Sequence, residues 1–273
     1  MPFLFWNLKK LPLQARIAEL ALEYQVAVIV LVECTIDPAK VLAALNATGM
    51  MGFTCPSGPA GAVGGINVFV RFPASALLPV YDDPNNHVTI RRLIPNRSPD
   101  LLLVVAHLQS KLKWTGNEQA QGAVRLARKI DDAEKCYNHR RTLLVGDLNM
   151  NPFEDGVVSS EGLHGVMTKQ TAIRGSRTVD GEDRPFFYNP MWRFFGERPD
   201  GPPGTHYYAT GGKPIALYWN MFDQVLVRPD LMDALREVKI VDRIGHQSLL
   251  GADGQPDVSV GSDHLPLLFV LDW

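Results

Sequence analysis

Apolar residues in this chain come in short runs, and most runs stop at a polar residue that a buried strand would not ordinarily carry. "FLFW" stops at Asn7, "VIVLV" at Glu33 and "LLLVVA" at His107. "TLLV" stops at Gly146-Asp147-Leu148-Asn149, and the last run, Leu265 to Trp273, follows Gly261-Ser262-Asp263-His264. Asp223 stands inside "MFDQVLV", a charge among apolar neighbours. Runs of this length bounded by turn residues read as buried strands. The longest, Val26 to Val32, is far short of the ~20 residues a helix needs to cross a bilayer, so no membrane insertion is expected.

Helical patterns alternate with these runs. An amphipathic stretch from Leu13 to Gln25 and a second from Pro38 to Ala47 give a β-α-β opening. A Gly-rich loop, Ser57 to Gly65, leads into "INVFVRF", and "SPD" between His87–Ile94 and Leu101–Leu108 signals a hairpin. A long helix follows over about Asn117 to Cys136; its charges Arg125, Arg128, Lys129, Asp131, Asp132 and Glu134 read as one solvated face. Residues 154–214 are irregular and rich in Gly and Pro. Many short strands with few helices predict an α/β fold of the α+β type. Two mixed β-sheets would pack face to face with helices outside, making a four-layer sandwich. No repeat or linker divides the chain, so a single domain over residues 1–273 is expected.

The net charge of −2 gives no global attraction to nucleic acid or lipid, so any polyanion must be held by a local basic patch. The three cysteines, Cys34, Cys55 and Cys136, are odd in number and lack metal-type spacing. They read as free thiols in a reducing compartment. The N-terminal "MPFLFWNLKK" reads as a first strand, not a leader. Together these predict a cytoplasmic protein.

Taken singly, each strand-end residue has an ordinary explanation as a turn former or a structural histidine. Taken together, strand ends in layered sheets converge at one edge, so these regions are candidates for a single site. One Glu, several Asp and two Asn, with two His and no Cys, make an oxygen-rich set that suits Mg²⁺ or Mn²⁺ far better than structural Zn²⁺. A His paired with an Asp can act as general base. Asn side chains and a second His can donate hydrogen bonds to the oxyanions of a phosphoryl transition state. The chemistry this set supports is metal-assisted hydrolysis of a phosphate ester.

The ordered motifs "WN", "VE", "AHL", "GDLNMNP", "FDQV" and "SDHLP" resemble the endonuclease/exonuclease/phosphatase superfamily, the DNase I-like fold, over nearly the whole chain from Asn7 to His264. The resemblance implies that Glu33 is the principal metal ligand, with Asn7 and Asp263 in or around the metal site. It implies that Asp147 and Asn149 position the nucleophile and the phosphate. His264 would activate water, oriented by Asp223, and His107 would donate to a phosphate oxygen or act as a general acid. Two positions depart from the pattern. Val32 precedes Glu33 where many members have Gln, and Lys9 stands where the abasic-site endonuclease branch tends to have an acid.

Substrate choice should lie in the loops. After His107, "QSKLKWTGN" places Lys111, Lys113 and Trp114 near the expected site, a combination suited to a nucleic-acid backbone and base or to a phosphorylated headgroup. Between Phe186 and Phe222 the chain is dense in aromatics, with Arg184, Arg193, Arg198 and His206 among them. Most of these rings should pack the irregular segment, leaving one or two, with His206, for substrate. "CPSGPAGAVGG" is expected to be a mobile loop at the same edge, and "HRR" at His139 to Arg141 to be plain surface. The expected activity is that of an intracellular nuclease or nucleotide phosphodiesterase acting on DNA, RNA or a nucleotide. The alternatives are a phosphatase or phosphodiesterase for a small or lipid-derived phosphate, and a binding module that keeps the fold without the chemistry.

Overall fold

A computed structural model describes residues 1–49, 52–56, 65–96, 98–198, 201–209 and 215–272. The Gly-rich stretch 57–64 lies outside them, so the expected mobile loop falls beyond the described residues. The chain divides into two compact units, each assembled from separated segments.

The first unit comprises Met1–Leu77, Gly196–Asn220 and Arg236–Trp273. Its strands β1 (Pro2–Asn7), β2 (Val28–Val32) and β3 (Asn67–Val70) join two C-terminal strands in a mixed sheet. The order is Leu235–Ile240, Leu267–Leu271, β1, β2, β3. β1 is parallel to β2 and antiparallel to the terminal strand. Phe3 to Trp6 are all buried, as expected for a central strand whose two faces are covered. Phe3 stacks on Phe269 with ring centroids 4.9 Å apart. Helices α1 (Gln14–Glu23) and α2 (Pro38–Asn46) pack on each other, burying Ile17, Leu20 and Ala21 on one and Val41 and Leu45 on the other.

The second unit comprises Leu78–Phe195 and Met221–Leu235. Here β4 (Leu77–Asp82), β5 (Val88–Leu93), β6 (Leu101–His107) and β7 (Thr142–Asp147) are followed by Asp223–Val227, Phe187–Tyr188 and Gly165–Val166 in a seven-stranded mixed sheet. β5 and β6 form the hairpin that "SPD" signalled. Helix α3 (Gly116–Tyr137) starts on a capping box, Thr115 with Glu118, and lays Ala123, Leu126, Ile130 and Ala133 on Leu102, Val104, Leu144 and Leu226. Each large aliphatic side chain buried in this way stabilises by about 1.5–3 kcal/mol.

Residues 154–214, expected to be irregular, hold the paired strands Ser176–Val179 and Glu182–Pro185 and the short strands Gly165–Val166, Phe187–Tyr188 and His206–Tyr207. Two longer strands of the main sheets were also not foreseen in the sequence. β4 ("LLPVYD") and Leu235–Ile240 ("LREVKI") are both edge strands, and each mixes buried with exposed positions. Neither carries an unbroken apolar run, and β4 tolerates Pro79 because an edge strand has a row of unpaired backbone groups. In the aromatic segment, Phe186, Phe187, Phe194 and Phe222 are buried, whereas Tyr208 and Tyr218 are exposed.

Two expectations about charge are corrected. Glu134 does not belong to a solvated face. It is buried and paired with buried Arg228 at 2.8 Å, and it accepts from Thr142 Oγ1 at 2.6 Å. "HRR" is not plain surface either. Arg141 and Arg92 both grip Asp100, at 2.7 and 2.5 Å, with His139 3.4 Å from the same carboxylate. Burial pushes the Asp100 carboxyl up, but the hydrogen bonds from Arg92 and Arg141 prevail and hold it at about 2. A carboxyl whose folded pKa lies below its unfolded value of ~3.9 stabilises the fold above that value, and the contribution is lost as pH falls through the folded pKa. Asp100→Asn is therefore expected to cost about 1–2 kcal/mol at pH 7. Urea titrations should show the gap from the unmodified protein narrowing as pH drops from 4 toward 2. A constant gap would remove this account.

Candidate active site

The five-stranded sheet gathers one set of expected residues at a single end. Asn7 pairs with Val32 across parallel strands, so Asn7 and Glu33 leave the sheet side by side. The terminal strand runs the other way, Phe5 facing Leu267. Asp263 and His264 therefore arrive at that same end just before the strand starts at Leu267. They lie outside regular strand, where neighbouring side chains are not forced to opposite faces. Trp6 Nε1 donates to the His264 carbonyl at 2.8 Å and anchors this segment on β1. The buried His264 ring stacks on His206, with centroids 4.3 Å apart and planes 29° from parallel. His206 Nδ1 lies 3.0 Å from the Asp263 carbonyl oxygen. His206, Asp263 and His264 each offer a ligand atom within 4.8 Å of the others, a group that could hold a metal ion.

Lys9 joins this set. Its Nζ lies 2.7 Å from Asp263 Oδ2, and its backbone N–H donates to Asn7 Oδ1 at 3.0 Å. Burial pushes the Asp263 carboxyl up, yet the neighbouring His264, the Lys9 hydrogen bond and His206 outweigh it, leaving the group below its ordinary value. Asp263 is accordingly an anion throughout the neutral range. The oxygen donors Asn7, Glu33 and Asp263 suit a hard divalent ion by their chemistry.

The seven-stranded sheet holds the second set in one row. β6 pairs with β7 so that His107 faces Asp147, and β7 pairs with Asp223–Val227 so that Asp147 faces Asp223. Residues paired across adjacent strands project from the same face, and His107 Nε2 is 3.9 Å from Asp147 Oδ2. Both acids are buried. Asp147 Oδ1 accepts the Asn149 N–H at 2.9 Å, and Asn149 Nδ2 donates to the Leu108 carbonyl at 2.9 Å. This fixes Asn149, at φ 51°, in a turn directly after the row. The row needs close strands: a Cβ on Gly146 would stand 1.9 Å from the Ala106 carbonyl oxygen, so only glycine fits there.

Among the expected substrate residues, Lys111 lies beside this set but its ammonium is ion-paired with Glu154 and sits 5.6 Å from the Phe222 ring centroid. Lys113 and Trp114 are exposed on the loop leading into α3. Two residues that the sequence reading did not single out take part. Buried Asn151 accepts the Met221 N–H at 2.8 Å, which ties the loop after β7 to the segment that delivers Asp223. His87 lies edge-on to His107, with centroids 5.9 Å apart, and its carbonyl accepts the His107 N–H at 2.8 Å. Asn151 sits in plain view in "GDLNMNP", but an Asn before Pro there reads as a turn. His87 opens a strand with no motif around it.

A model of the Endonuclease/Exonuclease/phosphatase family matches residues 4–264. The chain belongs to that family. A comparison with curated proteins finds no match. Solved structures give the fold. A 3'-5' exonuclease (NExo) from Neisseria meningitidis is 17% identical, with 100% of each chain covered and a TM-score of 0.58. Danio rerio TDP2, complexed with a single-strand DNA product, is 16% identical over 100% of this chain and 99% of the other, with a TM-score of 0.57. An AP endonuclease from Archaeoglobus fulgidus is 13% identical over 100% of both chains, also at 0.57. The fold of this family member is thus the α/β DNase I-like fold, with two mixed sheets and a few helices. As a member of the endonuclease/exonuclease/phosphatase family it is an enzyme, a hydrolase acting on phosphate esters. Among the described residues no helix is long and apolar enough to cross a membrane.

Proposed function

We propose that the protein is a metal-dependent phosphodiesterase of nucleic acids or nucleotides, acting as one catalytic domain over residues 1–273. The observation that supports this most is the in-register row His107, Asp147 and Asp223, which places an imidazole and two carboxylates on one sheet face. In this reading Glu33, Asn7 and Asp263 hold a divalent ion, Mg²⁺ or Mn²⁺, which when bound would neutralise charge on the phosphoryl oxygens. His264 takes the proton from the attacking water, with Asp223 stabilising the imidazolium that results. Asp147 and Asn149 orient the water and the scissile phosphate, and His107 donates to a phosphate oxygen. His206, stacked on His264, limits the base to one ring orientation.

Nucleic acid as substrate is supported by Lys113 and Trp114, a cation beside an exposed ring on the loop that follows His107. It is also supported by relatives whose structures hold DNA: TDP2 with a single-strand DNA product and NExo with a product DNA hairpin. Three free cysteines, Cys34, Cys55 and Cys136, fit a cytoplasmic location.

The test is a substrate panel with and without Mg²⁺ or Mn²⁺: single- and double-stranded DNA, RNA, nucleotides, inositol phosphates and phospholipids. Metal-dependent cleavage of DNA, RNA or nucleotide diesters is the expected result. Release of inorganic phosphate alone would replace this reading with a phosphatase, and binding of nucleic acid without cleavage would replace it with a binding module. Glu33→Gln should weaken the metal dependence while the circular-dichroism spectrum stays native. An unfolded variant would make Glu33 a structural residue.

A further inference from the structure

The turn that follows β1 is built against local preference. Lys9 and Lys10 both have positive φ, 49° and 61°, a conformation that L side chains adopt reluctantly. Three hydrogen bonds hold it: Lys9 N to Asn7 Oδ1 at 3.0 Å, Lys10 N to the Glu33 carbonyl at 2.9 Å, and Leu11 N to the Leu8 carbonyl at 2.8 Å. The result is that the Lys9 side chain returns over the sheet end and sets its ammonium 2.7 Å from Asp263 Oδ2. The turn and the carboxylate cannot drift apart easily, because Trp6 Nε1 clamps the next residue's carbonyl to β1.

An ammonium and a divalent ion make opposing demands on one carboxylate. Each is drawn to the same oxygens, and each repels the other at the few ångströms that would separate them. We propose that Lys9 is an internal cation that competes with the divalent ion for Asp263. It lowers the affinity of the metal site and leaves Glu33 and Asn7 as its dominant ligands. The inference rests on the metal-dependent reading above and adds to it a residue that sets how much free metal the enzyme needs. Lys9 is half exposed, so the pair can open without burying an unpaired charge. Competition, not exclusion, is the outcome this exposure implies.

Binding of Mn²⁺ alone, followed by calorimetry and by the loss of free-ion paramagnetic resonance signal, provides the test. Lys9→Ala is expected to bind Mn²⁺ about tenfold more tightly than the unmodified protein, and Lys9→Arg to behave like it. In an Asp263→Asn background the Lys9→Ala change should have no further effect, which separates competition for this carboxylate from a general change in charge. Equal Mn²⁺ affinity in Lys9→Ala and the unmodified protein, or an effect that persists with Asp263→Asn, would overturn the proposal. Should Asp263→Asn fail to fold, the contrast between the alanine and arginine variants decides instead. No Mn²⁺ binding by either the unmodified protein or Lys9→Ala would overturn the metal-dependent reading itself.

Discussion

His264→Ala is expected to lower phosphodiester turnover ~10²–10⁴-fold, the loss usual when a general base is removed. The fall should appear in kcat more than in KM, because the proposed role begins only when water gives up its proton. With Asn7, Glu33 and Asp263 as the proposed ligands, Mn²⁺ binding should survive; its loss would instead place the ion on the group His206, Asp263 and His264. Three features keep the fold in place. Trp6 Nε1 bonds the backbone carbonyl of residue 264, not its ring; Ser262 Oγ accepts the His264 N–H at 3.3 Å; and His206 remains to cover the space. Asp223→Asn should share the kinetic signature. Unchanged turnover in His264→Ala would remove the proposed base.

The second large effect concerns stability. Arg228→Ala is expected to cost about 3–5 kcal/mol, because it strands Glu134 as an uncompensated buried charge. Arg228 does more than pair with Glu134 at 2.8 Å: Nη1 donates to the carbonyls of Pro185 and Phe186 at 3.0 and 3.2 Å, and the guanidinium lies 3.9 Å above the centre of the Phe187 ring. Lysine should not rescue it, since one ammonium cannot reproduce a planar fork that serves four acceptors or faces. Replacing both partners with apolar residues of similar volume should recover most of the loss. Denaturant midpoints at pH 7 for the single and double variants decide the matter. A single variant that costs under ~1 kcal/mol would mean water reaches Glu134 and the pair behaves as an exposed one.

The same pair shows where the sequence ceases to be readable. Glu134 sits among Asp131, Asp132 and Lys135, and nothing local distinguishes the one carboxylate that turns inward. Its partner lies 94 positions away in the chain. The strands that carry Asn7, Glu33, His107 and Asp147 were legible because each is an apolar run broken by a polar end, a contrast that burial itself enforces. The edge strands were not, since half-exposed positions carry no such contrast. Asp263 and His264 were expected to meet Asn7 and Glu33 only because strand ends in layered sheets tend to share an edge; that the terminal strand runs antiparallel to β1, which brings its start to that end, needed the structure. That His107, Asp147 and Asp223 share a single row did not follow, because pairing offsets depend on partners remote in sequence. Lys9 was visible only as a departure from a pattern; its contact with Asp263 needed the backbone of the turn.

That shared row has a consequence for how such a chain can diverge. Lengthening the connection between β6 and β7, including α3, leaves His107 opposite Asp147, because the crossover contributes no step to the ladder. One residue gained or lost inside β7 is a different event: it turns Asp147 to the far side of the sheet, and Asn149 with it. Two residues restore the side but displace the carboxylate by ~6.6–6.8 Å, more than a phosphate oxygen can follow. Homologues that remain active should therefore accumulate their insertions in the connections and hold the residue count of these three strands fixed, whatever happens to the identity of the apolar residues between.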